Sequence, residues 1–115
     1  MAQIIHLTTM AEFEAAKQRH HTLVIDAYAD WCGPCKTMTP IFAALAKTHA
    51  ATYPSMAFFK IDVGAAPELA DYLSIASLPT FLFVRNGVVV NQVVGANRAQ
   101  LEAQIQLESK GVPAP

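Results

Sequence analysis

The chain of 115 residues has two cysteines, Cys32 and Cys35, which lie three positions apart in the stretch YADWCGPCKTMTP. This spacing is compatible with a structural disulfide, part of a metal site, or thiol–disulfide exchange. A structural disulfide is a poor choice, because so short a loop restrains the unfolded chain very little. Zinc is also disfavoured, because a structural site takes four ligands and the four histidines do not show a metal-binding spacing. We therefore assign no metal ligands.

Thiol–disulfide exchange fits the residues around the cysteines best. If a helix begins near Cys32, its sulfur lies at the positive end of the helix dipole, where free amides favour a thiolate and lower the pKa of the thiol. Residues three apart share a helix face, so Cys35 can reach Cys32. Gly33 has no side chain to obstruct a bulky partner, and Pro34 lacks an N–H that would be unpaired in the first turn.

Two further residues near the motif are candidates for the site. Asp26 interrupts the apolar stretch LVIDAY. A buried carboxyl group tends to keep its proton, so Asp26 is either a proton carrier for a buried thiol or a group that merely ends a hydrogen-bond chain. Trp31 is either a core aromatic or an exposed platform, and its place beside Cys32 favours shielding of the cysteine and contact with partners.

The elements that must position these groups follow from apolar spacing and turn residues. Apolar runs predict strands and helical spacing predicts helices. The expected strands are 4–7, 23–28, 56–63, 80–84 and 88–94, and the expected helices are about 9–20, 32–49, 67–73 and 97–110. Thr9 and Glu12 have the spacing of a capping box at the start of the first helix. Asn86-Gly87 predicts a hairpin turn, and Gly111 is the expected stop of the last helix.

The resulting order, βαβαβαββα, predicts one α/β domain with a mixed sheet and helices on both faces. We place this domain at residues 1–110 and expect a flexible tail at 111–115. Only 15% of the residues are charged and the net charge is −1, without a basic run, so nucleic acid is not an expected partner. The apolar runs are shorter than the ~20 residues that cross a bilayer, so no membrane association is expected.

The N-terminal residues MAQIIHLTTM lack a basic region followed by an apolar stretch, so we expect no secretory signal. Two cysteines in such a chain do not look like a secreted disulfide framework. A reducing compartment is therefore expected, and the cytoplasm is the predicted location.

The stretch Trp31-Cys32-Gly33-Pro34-Cys35-Lys36 resembles the active site of the thioredoxin family, and the resemblance continues along nearly the whole chain. The supporting pieces occur in the family's order and resemble the eukaryotic members most. They are Asp26 at the place of the buried acid, Pro40 at the place of the proline in the active-site helix, Leu78-Pro79-Thr80 as the cis-proline loop, Asn86-Gly87 as the hairpin turn, and Gly95-Ala96-Asn97 before the last helix.

The resemblance implies the thioredoxin fold, with a central five-stranded sheet and four helices. It implies that Cys32 attacks a substrate disulfide and that Cys35 then resolves the mixed disulfide. Removal of the Cys35 proton would fall to Asp26. Lys60 stands where some family members carry a lysine near this acid; it either favours ionised Asp26 by its charge or is a solvent-facing lysine on its strand.

The resemblance also implies how substrates dock. Pro79 would be cis and would place the Leu78 backbone beside Cys32, where an extended substrate segment can pair with it. Trp31, Pro79 and Gly95-Ala96 would border a shallow apolar patch, to which Gly33 and Pro34 belong as part of the motif. Tyr28 and the pair Ala76-Ser77 depart from the residues frequent in the family.

The implied activity is that of a protein-disulfide reductase, an enzyme that needs no organic cofactor of its own. Its partners would be disulfide-containing proteins and a thioredoxin reductase, through which NADPH supplies electrons indirectly, with peroxiredoxins as candidate substrates and a monomer as the expected state. Two alternatives stay open. One is a thioredoxin-like adaptor domain of a larger protein, and the other is a dedicated donor to one enzyme.

Overall fold

Five strands and four helices alternate along residues 4–113, the part of the chain that the computed structural model describes. The strands are β1 (Ile5–His6), β2 (Thr22–Tyr28), β3 (Met56–Asp62), β4 (Thr80–Arg85) and β5 (Val88–Val94). The helices are α1 (Met10–Arg19), α2 (Gly33–Thr52), α3 (Pro67–Tyr72) and α4 (Arg98–Ser109). This is the predicted order βαβαβαββα, and α2 continues through Pro40 and past its predicted end.

The strands form one mixed sheet with the order β1-β3-β2-β4-β5. Strands β1, β3 and β2 run parallel, whereas β4 is antiparallel to β2 and β5 is antiparallel to β4. The expected mixed five-stranded sheet with four helices is therefore confirmed. Its central strand, β2, carries the chain directly into the cysteine motif.

Each face of the sheet is covered by two helices. Val24 of β2 packs in one core group with Phe42 of α2 and Ile105 of α4. Ile25, the next residue of β2, packs on the opposite face with Phe13 of α1 and other residues of that second group. Because successive strand residues point to opposite faces, the nearly continuous apolar run of β2 is explained by burial on both sides.

Local turn and cap chemistry agrees with the sequence. The Thr9 hydroxyl accepts the Glu12 N–H, and the Glu12 carboxylate accepts the Thr9 N–H, which is the predicted capping box of α1. Asn86 and Gly87 have φ values of 53° and 77°, as a tight hairpin turn requires. Asn97 caps α4 by accepting the Gln100 N–H.

The C-terminal end of α4 differs from the prediction. Gly111 does not have the left-handed φ of a helix-stopping glycine. It instead lies against the Arg85 side chain, where a Cβ atom would come within 2.8 Å of Nη1. Val112, placed in the flexible tail, is buried in the core group that contains Phe42. The chain therefore stays packed on the domain beyond residue 110, and residues 114–115 lie outside the described part.

Candidate active site

The two cysteines lie where β2 gives way to α2, as predicted. After β2 the Cys32 N–H donates to the Ala29 carbonyl oxygen at 3.1 Å, which closes a tight turn. Cys32 is the N-cap residue of α2, with φ −88° and ψ 108°, and Gly33 is the first helical residue. Pro34 occupies the first turn, where its missing N–H costs the helix nothing. The junction therefore presents one sulfur at the N-terminal end of a long helix.

The two sulfurs are bonded to each other, with the Cα atoms 5.3 Å apart. The Cys35 N–H donates to Cys32 Sγ at 3.2 Å, so a helix amide already points at this sulfur. In the reduced protein the same amide would face the thiolate. The first turn of α2 contains no acidic residue, so no carboxylate of that turn opposes a negative charge at Cys32.

The surroundings of the cysteines form an open groove with a volume of about 560 Å³. Its walls are Trp31, Cys32, Gly33, Pro34, Val63, Ile75, Ala76 and Leu78. Trp31 is 78% exposed, which supports the platform over the core aromatic. Cys32 is only 5% exposed and Cys35 3%, but Cys32 lines the groove and Cys35 does not. A partner in the groove therefore meets Cys32 first.

The peptide bond between Leu78 and Pro79 is cis, as the resemblance implied. Leu78 reaches the groove wall, whereas Pro79 is buried. The Gly95 N–H donates to the Pro79 carbonyl oxygen at 2.8 Å, so Gly95 and Ala96 adjoin the cis-proline loop. Gly95 has a φ of +100°, which suits glycine. Pro79, Gly95 and Ala96 lie beside the groove and are not among its wall residues.

Three wall residues, Val63, Ile75 and Ala76, were not predicted as site residues, and Ala76 was noted only as a departure from the residues frequent in the family. Val63 immediately follows β3, and its N–H donates to the Tyr28 carbonyl oxygen at 2.9 Å, at the carboxyl ends of two parallel strands. Ligand sites commonly gather at that edge of a sheet, so the position of Val63 after a buried strand was an available signal. Ile75 lies in the loop after α3, where no sequence pattern marked it.

Asp26 is 1% exposed and lies on β2 opposite Lys60 of β3 and Phe81 of β4. Its position two residues from Val24 places it on the sheet face that α2 covers. No described residue forms a hydrogen bond with its Oδ1 atom. Burial raises the pKa of Asp26 to about 6, and the positive charge of Lys60 partly opposes this. A buried carboxyl that can exchange a proton near neutral pH therefore lies on the sheet face that α2 covers.

Lys60 was expected either to favour ionised Asp26 by its charge or to be a solvent-facing lysine on its strand. It is half-buried, so it is not a free surface lysine. Its Nζ atom lies 4.8 Å from the centroid of the Tyr28 ring, above the ring face. Its charge nevertheless lowers the pKa of Asp26 relative to burial alone.

Metal binding and membrane spanning are two other properties for which residues 4–113 give structural information. No group of three or more His, Cys, Asp or Glu side chains in this range could hold a metal ion. Within the same range, none of the helices is both long enough and apolar enough to cross a membrane.

Comparison with known proteins identifies relatives along nearly the whole chain. The family model described as thioredoxin matches residues 4–107. Mitochondrial thioredoxin-3 of Saccharomyces cerevisiae is 37% identical over 103 residues, which cover 90% of this chain and 78% of the relative. The crystal structure of Malassezia sympodialis thioredoxin (Mala s 13) has a TM-score of 0.88 at 32% identity and covers 95% of this chain and 93% of its own.

A third similar structure comes from work on the thiol-resolving mechanism of a yeast mitochondrial 1-Cys peroxiredoxin by the glutathione and thioredoxin systems. It has a TM-score of 0.77 at 39% identity, and the match covers 90% of this chain and 94% of that one.

Replacing Asp26 by Asn is expected to change how stability depends on pH. Folding raises the pKa of Asp26 from 3.8 to about 6, so the stabilisation from its protonated form is fully present below pH 3.8 and is lost as the pH rises through 6. Asn cannot ionise. The free energy of unfolding of Asp26→Asn, relative to the parent, should therefore increase by about 2 to 3 kcal/mol between pH 4 and pH 8.

Urea unfolding of both oxidised proteins across this pH range measures the difference. Asp30→Asn is the matched control, because it removes a carboxyl that is exposed in the turn before α2 and not buried. A flat difference for Asp26→Asn would show that Asp26 is not desolvated as described.

Proposed function

The chain belongs to the thioredoxin family of thiol–disulfide oxidoreductases, and from this premise we propose that it is a general protein-disulfide reductase in which Cys32 attacks and Cys35 resolves. One observation supports this division of roles. Cys32 lines the open groove at the N-terminus of α2, whereas Cys35 lies behind it. Thiol–disulfide exchange needs one sulfur that a partner can reach and a second that can follow.

In the first step, the Cys32 thiolate attacks one sulfur of the substrate disulfide. The substrate S–S bond breaks, its second sulfur leaves with the electron pair and takes up a proton, and Cys32 is joined to the substrate in a mixed disulfide. Cys35 then loses its proton and attacks Cys32 Sγ. The bond between Cys32 and the first substrate sulfur breaks, and this sulfur leaves with the electron pair and takes up a proton. The substrate has then gained two electrons and two protons, and the chain ends with the Cys32–Cys35 bond seen here.

Asp26 is proposed to take the proton from Cys35. It is buried on the sheet face that α2 covers, and burial brings its pKa to about 6, near the pH at which the enzyme would work. A base with a pKa close to the ambient pH transfers protons most effectively in both directions. We assign Lys60 to the catalytic set because its charge acts on Asp26.

The groove is proposed to bind an extended apolar segment around the substrate disulfide. None of its wall residues is charged, and Trp31 offers a large exposed aromatic surface. Gly33 and Pro34 do not obstruct the approach of a substrate to Cys32. The Leu78 backbone can pair with the substrate like an added strand. Pro79, Gly95 and Ala96 would contact the flanks of the bound segment.

For partners we propose disulfide-containing proteins and a thioredoxin reductase that returns electrons from NADPH to the Cys32–Cys35 pair. The chain then needs no cofactor of its own, because the cysteine pair holds the electrons. Peroxiredoxins are proposed as one substrate class, supported by the similar chain studied with a yeast peroxiredoxin. We propose a monomer, since one chain supplies both cysteines and the groove.

A reducing compartment is proposed because both cysteines of the chain belong to the motif and no others are present for structural bonds. The cytoplasm is the proposed location. The mitochondrial name of the yeast relative makes the mitochondrion the alternative. An adaptor domain without turnover is less favoured, because such a role would not need Cys32 at the groove wall with Cys35 bonded behind it.

Replacing Cys35 by Ser should trap substrates covalently. Cys32 can still attack, but no second thiol resolves the mixed disulfide, so its lifetime should increase by about 100-fold or more. Incubation with a disulfide-containing protein, followed by non-reducing electrophoresis and mass spectrometry, detects the complex, and added thiol should release it.

The matched control for this experiment is Cys32→Ser, which leaves Cys35 behind the groove wall and should trap little. Equal trapping by the two variants would contradict the assignment of Cys32 as the attacking sulfur.

Replacing Asp26 by Asn should slow resolution of the mixed disulfide by about tenfold or more at pH 7, because Cys35 loses its proton acceptor. Stopped-flow measurement of substrate release, under conditions in which the mixed disulfide forms rapidly, isolates this step. The parent rate should rise as the pH passes 6, and the variant rate should not show this rise. Unchanged rates in a folded Asp26→Asn protein would leave Asp26 with a structural role only.

A further inference from the structure

Asp26 and Lys60 are opposite charges placed side by side that do not pair. They are register partners on the adjacent parallel strands β2 and β3. Neighbouring strands lie about 4.8 Å apart. Val24 and Phe58, two residues before each of them, share one core group, so both side chains start from the same sheet face. An ion pair would be the ordinary outcome, yet within residues 4–113 the ion pairs do not include one between Asp26 and Lys60.

The Lys60 ammonium lies instead on the Tyr28 ring. Its Nζ atom is 4.8 Å from the ring centroid, within the range of a cation–π interaction. The ring itself is held from two sides. It packs against the group of Ala29, Cys32 and Cys35, and the His6 ring meets it edge-on with centroids 6.2 Å apart. Tyr28 therefore offers a fixed surface for the ammonium next to the buried carboxyl.

We propose that Tyr28 is a positioning residue whose ring face holds the Lys60 ammonium and keeps it from forming an ion pair with Asp26. The assignment rests on the proposed function in one respect, namely that Asp26 carries the proton of Cys35. It adds a residue that takes no part in the bond changes and acts through Lys60.

The absence of an ion pair with Lys60 affects the pH range in which Asp26 holds its proton. A carboxylate paired with an ammonium within 4 to 6 Å has its pKa lowered by about 1 to 3 units and stays ionised at neutral pH. Without that pair, burial keeps the pKa of Asp26 at about 6. The carboxyl can then both accept and return a proton as the cysteine pair is oxidised and reduced. Tyr28 therefore preserves the two-way character of the proton carrier.

Other charged and titratable groups surround the pair and must be followed in any test. Burial is the main cause that raises the pKa of Tyr28, and the charges of Asp62, Asp30 and Asp26 raise it further. His6 contacts the Tyr28 ring and is the register partner of Lys60 on β1. In the oxidised protein Cys32 and Cys35 do not titrate, which makes this form the cleaner one for measurement.

A double-mutant cycle on the oxidised protein tests the proposal. The pKa of Asp26 is measured from the pH dependence of its carboxyl ¹³C resonance in the parent, Tyr28→Leu, Lys60→Met and the double variant, while the imidazole resonances report His6 separately. Tyr28→Leu should lower the pKa of Asp26 by about one unit, because the released ammonium can approach the carboxylate. In the Lys60→Met background, Tyr28→Leu should lower the pKa of Asp26 much less.

Tyr28→Phe keeps the ring face and should leave the pKa of Asp26 as it is in the parent. If Tyr28→Leu loses its folded structure, Tyr28→Met takes its place in the cycle. An equal fall in both backgrounds would overturn the proposal, since the ring would then act only by excluding water from Asp26. An unchanged or raised pKa in Tyr28→Leu would overturn it as well.

The cycle is independent of turnover, so its failure is distinguishable from failure of the proposed function. If Asp26 is not the proton acceptor, the pKa shifts of the cycle persist while the rate of mixed-disulfide resolution does not follow them. If Tyr28 does not position Lys60, resolution still depends on Asp26, but the pKa coupling is absent.

Discussion

The hydrogen bond from the Cys35 N–H to Cys32 Sγ fixes the arrangement on which the rest of the site depends. It exists because Cys32 caps α2, so one of the first free amides of a long helix points at a sulfur and not at a hydroxyl or carboxylate. Proline at the start of the helix removes one N–H that would otherwise be unpaired. The same backbone turn therefore ends a strand, begins a helix and stabilises negative charge on the attacking atom.

The central strand supplies the second requirement. Because β2 is buried on both faces, its residues need to be apolar, and burial of the Asp26 carboxyl costs folding free energy. The protein accepts that cost at a position on the sheet face that α2 covers. Lys60 would reduce the cost by pairing with Asp26, and the contact between Lys60 and the Tyr28 ring limits this. The reactive thiol and the proposed proton carrier are thus tuned by different elements, a helix end and a strand interior.

The sequence was sufficient to predict what short-range rules determine. Alternating runs, the capping box at Thr9, the Asn86-Gly87 turn and the helix start at Cys32 are local features, and they appear as expected. The groove walls at Val63 and Ile75 depend on how distant loops meet, so they did not appear in any local pattern. The burial of Val112 and the ammonium–ring contact at Tyr28 depend likewise on packing between separate elements.

The central claim is that the start of α2 holds Cys32 as a thiolate near neutral pH. The pH dependence of iodoacetamide alkylation of Cys32 in reduced protein, with Cys35 replaced by Ala so that one thiol titrates, tests it most directly. The half-maximal rate is expected at least one pH unit below that of the same protein unfolded in denaturant, where an ordinary cysteine ionises near pH ~8.5. If Cys32 of the folded protein reacts with the same midpoint as the unfolded chain, or with a higher one, the helix start does not stabilise the thiolate.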